Sequence, residues 1–235
     1  MSDKRSKAQP RFYVSLLLAG LAFALFIFST PALIADFLML SGNPIHDALL
    51  AGEPVSSEDV VSFIQSRERA ALWHPSNAVY DDLAMGMLER VRRSGFPPTP
   101  TLTPELEQVI VWQTSALRLS PADTYGWSRL AYVRIITEGL SASAAEALTH
   151  SIEAAPYEPR LMITRINMAV LLGDKLAPDM RRQIPQMISA AWKLFPKELV
   201  QSAQQGRYAP AVEAVLKDNP EDLTQWKKLT SSPVP

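Results

Sequence analysis

"LRLSPADTYGWSRLAYV", residues 117–133, closes one apolar helical pattern at Ser120-Pro121 and opens another almost at once. Proline fits the first turn of a helix because its missing N–H would have no partner there, and a serine before it is a capping residue. The expected arrangement has Ser120 as the cap, Pro121 at the first helical position, and Asp123 facing the free amides and the positive end of the helix dipole. Behind them, Trp127, Leu130 and Ala131 fall at helical spacing on one stripe.

The pattern recurs. "ALWHP" at 71–75, "ALRLSP" at 116–121, "SIEAAP" at 151–156 and "AWKLFP" at 191–196 end in Pro75, Pro121, Pro156 and Pro196, spaced 46, 35 and 40 residues apart. Recurrence at this period suggests stacked pairs of helices, each pair too small to bury its own apolar face. Other helix signals agree. Ser56 with Asp59 three residues on is a capping-box-like start, "ERVRR" (Arg90, Arg92, Arg93) before Gly95 suits a helix end, and Thr103-Pro104-Glu105 starts another. Strand signals are weak: the chain has no Asn-Gly or Asp-Gly turn and no long β-branched alternation. The expected fold class is all-α.

The N-terminus is of another kind. "FYVSLLLAGLAFALFIFSTPALIA", residues 12–35, carries no charge. At about 1.5 Å per residue it reaches roughly 36 Å as a helix, more than a hydrocarbon core of about 30 Å. Asp36 is expected near the far interface, and Pro31 sits where a kink is tolerable. A cleaved signal peptide competes with an uncleaved anchor, but its apolar region is usually about 7–15 residues long. Lys4, Arg5, Lys7 and Arg11 precede the segment, and the next basic residue is Arg67. Between them stand Asp36, Asp47, Glu53, Glu58 and Asp59, so the expected topology keeps the N-terminus in the cytoplasm and exports the chain beyond Leu40. The divisions expected are a cytoplasmic flank at 1–11, a transmembrane anchor at 12–40, a linker with one apolar turn at 41–55, a helical-repeat domain at 56–229 and a tail at 230–235. The proline-rich 96–104 is a possible break inside the repeat domain.

The unit from Thr124 to Pro156 resembles the tetratricopeptide repeat. Trp127, Leu130 and Ala131 match its first helix, Gly139 its turn, and Ala144, Leu148 and Pro156 its second helix, given one inserted residue; Arg134 stands where the repeat usually has tyrosine. That resemblance implies an array of antiparallel helical hairpins. A narrower one covers roughly residues 112–205. The Ser-Pro-Ala-Asp start with Trp127, the proline-turned second hairpin, the Arg165/Asn167 pair and "APDMRRQ" resemble small alphaproteobacterial helical-repeat proteins associated with surface-polysaccharide assembly. It implies protein partners at a bacterial inner membrane, a periplasmic domain and a scaffold role, and brings no catalytic residue with it.

Chemistry in the sequence is sparse. A net charge of −1 does not suit a nucleic-acid binder, and the lack of cysteine removes disulfides, zinc-thiolate sites and thiol nucleophiles. His46, His74 and His150 lie on separate segments, show no HExxH and adjoin no carboxylate cluster, so neither a metal nor another cofactor is expected. "GWSRL" has Leu130 where a nucleophile elbow needs glycine, and Ser128 reads as a solvent-side helix residue. Glu58/Asp59 and Asp81/Asp82 read as capping and solvated surface. Trp112, Trp127 and Trp192 read as core. Tyr125, Tyr132 and Tyr157, near helix ends or turns with a polar tip, are the candidate partner-binding residues. Arg181 and Arg182 join them as a cluster that an anionic glycan or lipid headgroup could use. The expected function is a non-enzymatic scaffold or adaptor; the rivals are an accessory subunit of another inner-membrane complex and a glycan-modifying enzyme.

Overall fold

The computed structural model describes residues 8–95 and 103–231. Lys4, Arg5 and Lys7 of the basic flank, 96–102 of the proline-rich connector and 232–235 of the tail lie outside the described residues. Twelve α-helices and no strand occur among the described residues. The chain divides into two compact units, Met1–Arg93 and Ser94–Pro235.

The first unit holds α1 (Ala8–Met39), α2 (Asn43–Ala51), α3 (Ser57–Trp73) and α4 (Asn77–Arg93). Helix α1 is long and apolar enough to cross a membrane, with a mean hydropathy of 2.3 in its most apolar stretch, none of which is buried. Its last turns differ: Ala35 is covered, and this end of α1 packs against α3. The stretch read as a linker carries a nine-residue helix, α2, joined to α1 by a single 3-10 turn at Leu40–Gly42.

Ser56 starts α3 as its spacing predicts. Its Oγ accepts the Asp59 N–H at 3.0 Å and its hydroxyl donates to Asp59 Oδ2 at 2.7 Å. Along α3, Val60, Phe63, Ile64 and Ala70 form a stripe that meets Val79, Leu83, Ala84, Met87 and Val91 of α4. Gly86 allows the close approach, since a Cβ there would lie 2.8 Å from the Phe63 ring.

One polar cluster sits inside this apolar contact. Arg67, 1% exposed, donates from Nε to Asp82 Oδ2 (2.9 Å), from Nη1 to the Met39 carbonyl (2.7 Å) and Ser66 Oγ (3.0 Å), and from Nη2 to Asn43 Oδ1 (2.9 Å). Its guanidinium also lies 4.4 Å from the Phe63 ring centroid. Asp82 is therefore not solvated surface. It is buried against Arg67, with His46 Nε2 at 3.4 Å from its other oxygen. Burial pushes the Asp82 carboxyl above its ordinary range, although Arg67 and His46 both favour the charged form. Gly42 is fixed by the same cluster: a Cβ there would collide with Arg67 Nη1.

The second unit holds α5 (Thr103–Leu119), α6 (Thr124–Glu138), α7 (Ala142–Ala154), α8 (Pro159–Leu172), α9 (Pro178–Leu194), α10 (Pro196–Gln205), α11 (Ala209–Leu216) and α12 (Pro220–Ser231). Ser120 is not the cap of α6. It belongs to a turn whose Ser120 carbonyl accepts the Asp123 N–H, and Asp123 caps instead, taking the Tyr125 and Gly126 N–H groups at 3.0 Å each. A carboxylate serves better there, because it accepts two amides and opposes the dipole. Pro75, Pro121 and Pro156 lie in turns between helices, and Pro196 opens α10.

Helices α6 and α7 pack extensively through small residues: Ala131, Ala144 and Ala147 are all but inaccessible and let the axes close on Leu130 and Leu148. Gly139 turns between them at φ +75°, a backbone a side chain would strain, and Ser141 caps α7. One continuous core runs from Leu117 to Trp226. Trp192 is buried within it, edge-on to the fully buried Trp226 at 5.9 Å between centroids. Trp127 is only half-buried at its margin.

Removing one charge of the buried pair strands the other, which typically costs about 3–5 kcal/mol, whereas replacing both with apolar groups is often near neutral. Asp82→Asn should therefore destabilise the full-length protein in detergent far more than Arg67→Met combined with Asp82→Leu. Denaturation followed by circular dichroism distinguishes them; equal losses would mean that the pair's own attraction, not the stranded charge, dominates.

Candidate functional site

One buried side chain ties α6, α7 and α8 together in the second unit. Arg165 of α8 is fully buried and reaches into the junction of α6 and α7. Its Nε donates to Ser151 Oγ (3.1 Å), its Nη1 to the Ala155 carbonyl (2.6 Å) and its Nη2 to the Ser151 carbonyl (2.6 Å) and to Thr124 Oγ1. Thr124 and Ser151 complete the lock, each hydroxyl donating to the other's carbonyl, at 2.8 and 2.7 Å. Burial lowers the Arg165 pKa to about 10, and the charge of Glu158 works against that fall.

Two of the candidate tyrosines adjoin residues of this lock in sequence: Tyr125 follows Thr124, and Tyr157 lies two residues after Ala155. Tyr125, 38% exposed, donates from its hydroxyl to Glu158 Oε1 at 2.6 Å, and Tyr157, beside Glu158 in sequence, is 59% exposed. Burial and the Glu158 carboxylate raise the Tyr125 pKa. The Tyr125 hydrogen bond in turn holds the Glu158 carboxyl below its usual range. The Tyr125 hydroxyl is therefore committed to an internal partner. Tyr132, two turns further along α6, is 36% exposed.

A cavity of about 330 Å³ opens between α5, α6 and α7, lined by Thr114, Leu117, Arg118, Trp127, Arg134 and Glu146 among others. Trp127 is held at its margin by its Nε1, which donates to the Pro121 carbonyl at 2.8 Å, and by the His150 ring at 4.6 Å. Arg134, the departure from the repeat pattern, donates to the Ser143 carbonyl at 2.9 Å and so braces α7.

A wider open groove of about 780 Å³ runs between α8, α9 and α11. Val170, Ile184, Ile188 and Val215 make its floor, and Asp174, Arg181, Lys217 and Asp218 its rim. Arg181 donates to Asp174 Oδ1 at 2.8 Å. Arg182 is exposed but does not line the groove, and none of the three tyrosines lines the groove or the smaller cavity. Of the five candidates, Arg181 alone lines the groove, while Tyr125 is tied to Glu158, next to Tyr157 in sequence, so the structure forms no common site for all five.

Two sequence readings are corrected. Ser128 does not face solvent: it is 4% exposed, because α6 is covered by α5, α7 and α8 at once. Histidines do meet carboxylates: His46 lies between Asp47 and Asp82, and His150 between Glu146 and Glu153 at 4.0 and 3.6 Å. Among the described residues, no group of three or more His, Asp or Glu could hold a metal ion. What the sequence did not mark at all was the Arg67 cluster, whose partners stand 15, 24 and 28 positions away.

Lysine offers three donors on one nitrogen and cannot span Ser151, Ala155 and Thr124 together. Arg165→Lys should cost about 2–4 kcal/mol, read as a fall in denaturation midpoint, since carbonyls of the lock lose their donors. Tyr125→Phe, which removes only an exposed hydrogen bond, should stay within about 1 kcal/mol of the parent. A tolerant Arg165→Lys would show that the lock is incidental.

No family model matches the chain, and none of the curated proteins does.

Proposed function

We propose that this protein is a membrane-anchored scaffold or adaptor whose helical domain faces the periplasm and holds protein partners of an envelope polysaccharide assembly or export system. The anchor is α1, with the basic flank inside and everything beyond Leu40 exported. The second unit is read as tetratricopeptide-like hairpins, α6 with α7 being the best unit. Support for that comes from Gly139 at the turn and the alanine crossings at Ala131, Ala144 and Ala147. The polysaccharide association rests on the resemblance of residues 112–205.

The observation that carries the binding role is the open groove between α8, α9 and α11. An apolar floor with a rim of alternating charge takes a helix or extended segment of a partner: side chains bury on the floor and the rim fixes the register. No catalytic step is assigned. The partners are proteins at the inner membrane, with an anionic glycan or lipid as a further ligand for the arginines.

Two measurements test this. Alkaline phosphatase fused after Pro235 should be active and remain with the membrane fraction. Activity released in a shortened soluble form would mean a cleaved signal, and no activity beside a bright cytoplasmic reporter would reverse the topology. A photo-crosslinking residue at Lys217 should give protein adducts in native membranes that Ala214→Arg, which fills the groove, abolishes. Adducts that persist in Ala214→Arg would remove the groove from the reading.

A further inference from the structure

The direction of the chain across α3 can be read from contacts in the first unit. Gly42 abuts Ser66 and Arg67, whereas His46, one turn further on, faces the Phe63 ring at 6.4 Å. As the chain advances, its contact on α3 moves backward. Helix α1, the 3-10 turn and α2 form a nearly continuous helical rod, so the whole rod runs opposite to α3. Carried back along α1 at equal rise, this register brings the C-terminal end of α3 level with Ala35 and Asp36. Ala35 is accordingly 1% exposed, and covering begins about a turn earlier, at the half-buried Thr30, Pro31, Ala32 and Ile34, beyond the exposed stretch that ends at Ser29.

That end of α3 carries two adjacent uncovered apolar side chains, Leu72 at 86% and Trp73 at 52% exposure. Scattered exposed apolar residues are ordinary on protein surfaces. These two are not scattered: they stand level with the place where the uncharged span gives way to Asp36, the first charged residue after it. Arg69, one turn before Trp73 and so on the same face, is exposed and has no carboxylate partner among the described residues. It lines a shallow groove with Phe37, Leu38 and Leu40 of the rod. A tryptophan, a leucine and a free guanidinium at the end of an apolar span match the chemistry of the interfacial layer. There an indole buries its ring and keeps its N–H among headgroups, and an arginine reaches phosphates.

We infer that the C-terminal end of α3, through Leu72 and Trp73 with Arg69 behind them, seats in the interfacial layer of the bilayer. The first unit is thereby held against the membrane at a second point besides α1. This rests on the reading of α1 as a retained anchor. Its occupant is lipid, because these apolar side chains stand level with the end of the uncharged span that would cross the bilayer.

The chain has no cysteine, so single cysteines report cleanly. Full-length protein carrying Leu72→Cys, Ile27→Cys or Val61→Cys, each labelled with an environment-sensitive fluorophore, is reconstituted in phosphatidylethanolamine/phosphatidylglycerol vesicles. Lipids bearing spin labels at shallow or deep acyl positions serve as quenchers. The label at 27 should be quenched by the deep probe. The label at 72 should be blue-shifted and quenched at least twofold more by the shallow probe than the label at 61, near the other end of α3. Quenching at 27 with 72 behaving like 61, whether both dark or both quenched, overturns the inference and leaves the anchor standing. No quenching at 27 overturns the anchor reading and the inference with it.

Discussion

A guanidinium taken out of water must place five N–H groups on acceptors in one plane, and both units are organised around meeting that demand. Arg67 places four of the five on a carboxylate, a carbonyl and two side-chain oxygens drawn from α1, α2, α3 and α4. Because Nη1 takes the Met39 carbonyl and Nη2 the Asn43 amide, the arginine fixes the point where α1 gives way to α2. Gly42 is the residue that leaves room for it. Arg165 has no acid within ion-pair distance among the described residues and relies on two carbonyls and two hydroxyls. That arrangement explains why burial can lower its pKa to about 10. An unpartnered N–H at either place would cost more than a typical surface contact contributes, so the helices around each arginine hold a narrow relative geometry.

The local signals of the sequence were legible, because capping and turn chemistry act within a few residues. Ser56 and Asp59 form their reciprocal bonds, Gly139 takes the positive φ, and the four recurring prolines fall at helix junctions. The all-helical class came from them. Ser120 lost the cap to Asp123 in a local competition between two capping side chains three residues apart. Ser128 went inside and Asp82 became a buried ion-pair partner, each because of a neighbour that the local pattern does not weigh. Asp82 needed Arg67, fifteen residues away; Ser128 needed a third helix over α6. The period of a single helix shows which residues share a face, but not how many faces are covered.

The candidate surfaces obey the same division. Tyr125 and Tyr157 lie at a helix start and a turn as the sequence indicates, whereas Tyr132 stands in the middle of α6; all three are exposed or at the margin of exposure. A common site for them is not legible, since no pattern within one helix determines that the Tyr125 hydroxyl is held by Glu158, thirty-three residues on. The groove floor of Val170, Ile184, Ile188 and Val215 comes from three helices and has no signature in any of them alone.

Helix α1 shows how one element can serve two environments. From Phe12 to Phe28 it exposes phenylalanines, leucines and isoleucine, most of them above half of their surface, far beyond the few hundred Å² of contiguous apolar area a water-soluble surface usually tolerates. From Ala35 to Met39 the same helix instead supplies packing for α3 and a carbonyl for Arg67. The change begins near Thr30, before Asp36, and α1 stays one helix from Ala8 to Met39 across it. A flexible tether would allow the first unit to move freely with respect to the apolar segment. A continuous helix pinned by a buried arginine does not, so whatever covers that segment also sets the orientation of α3 and α4.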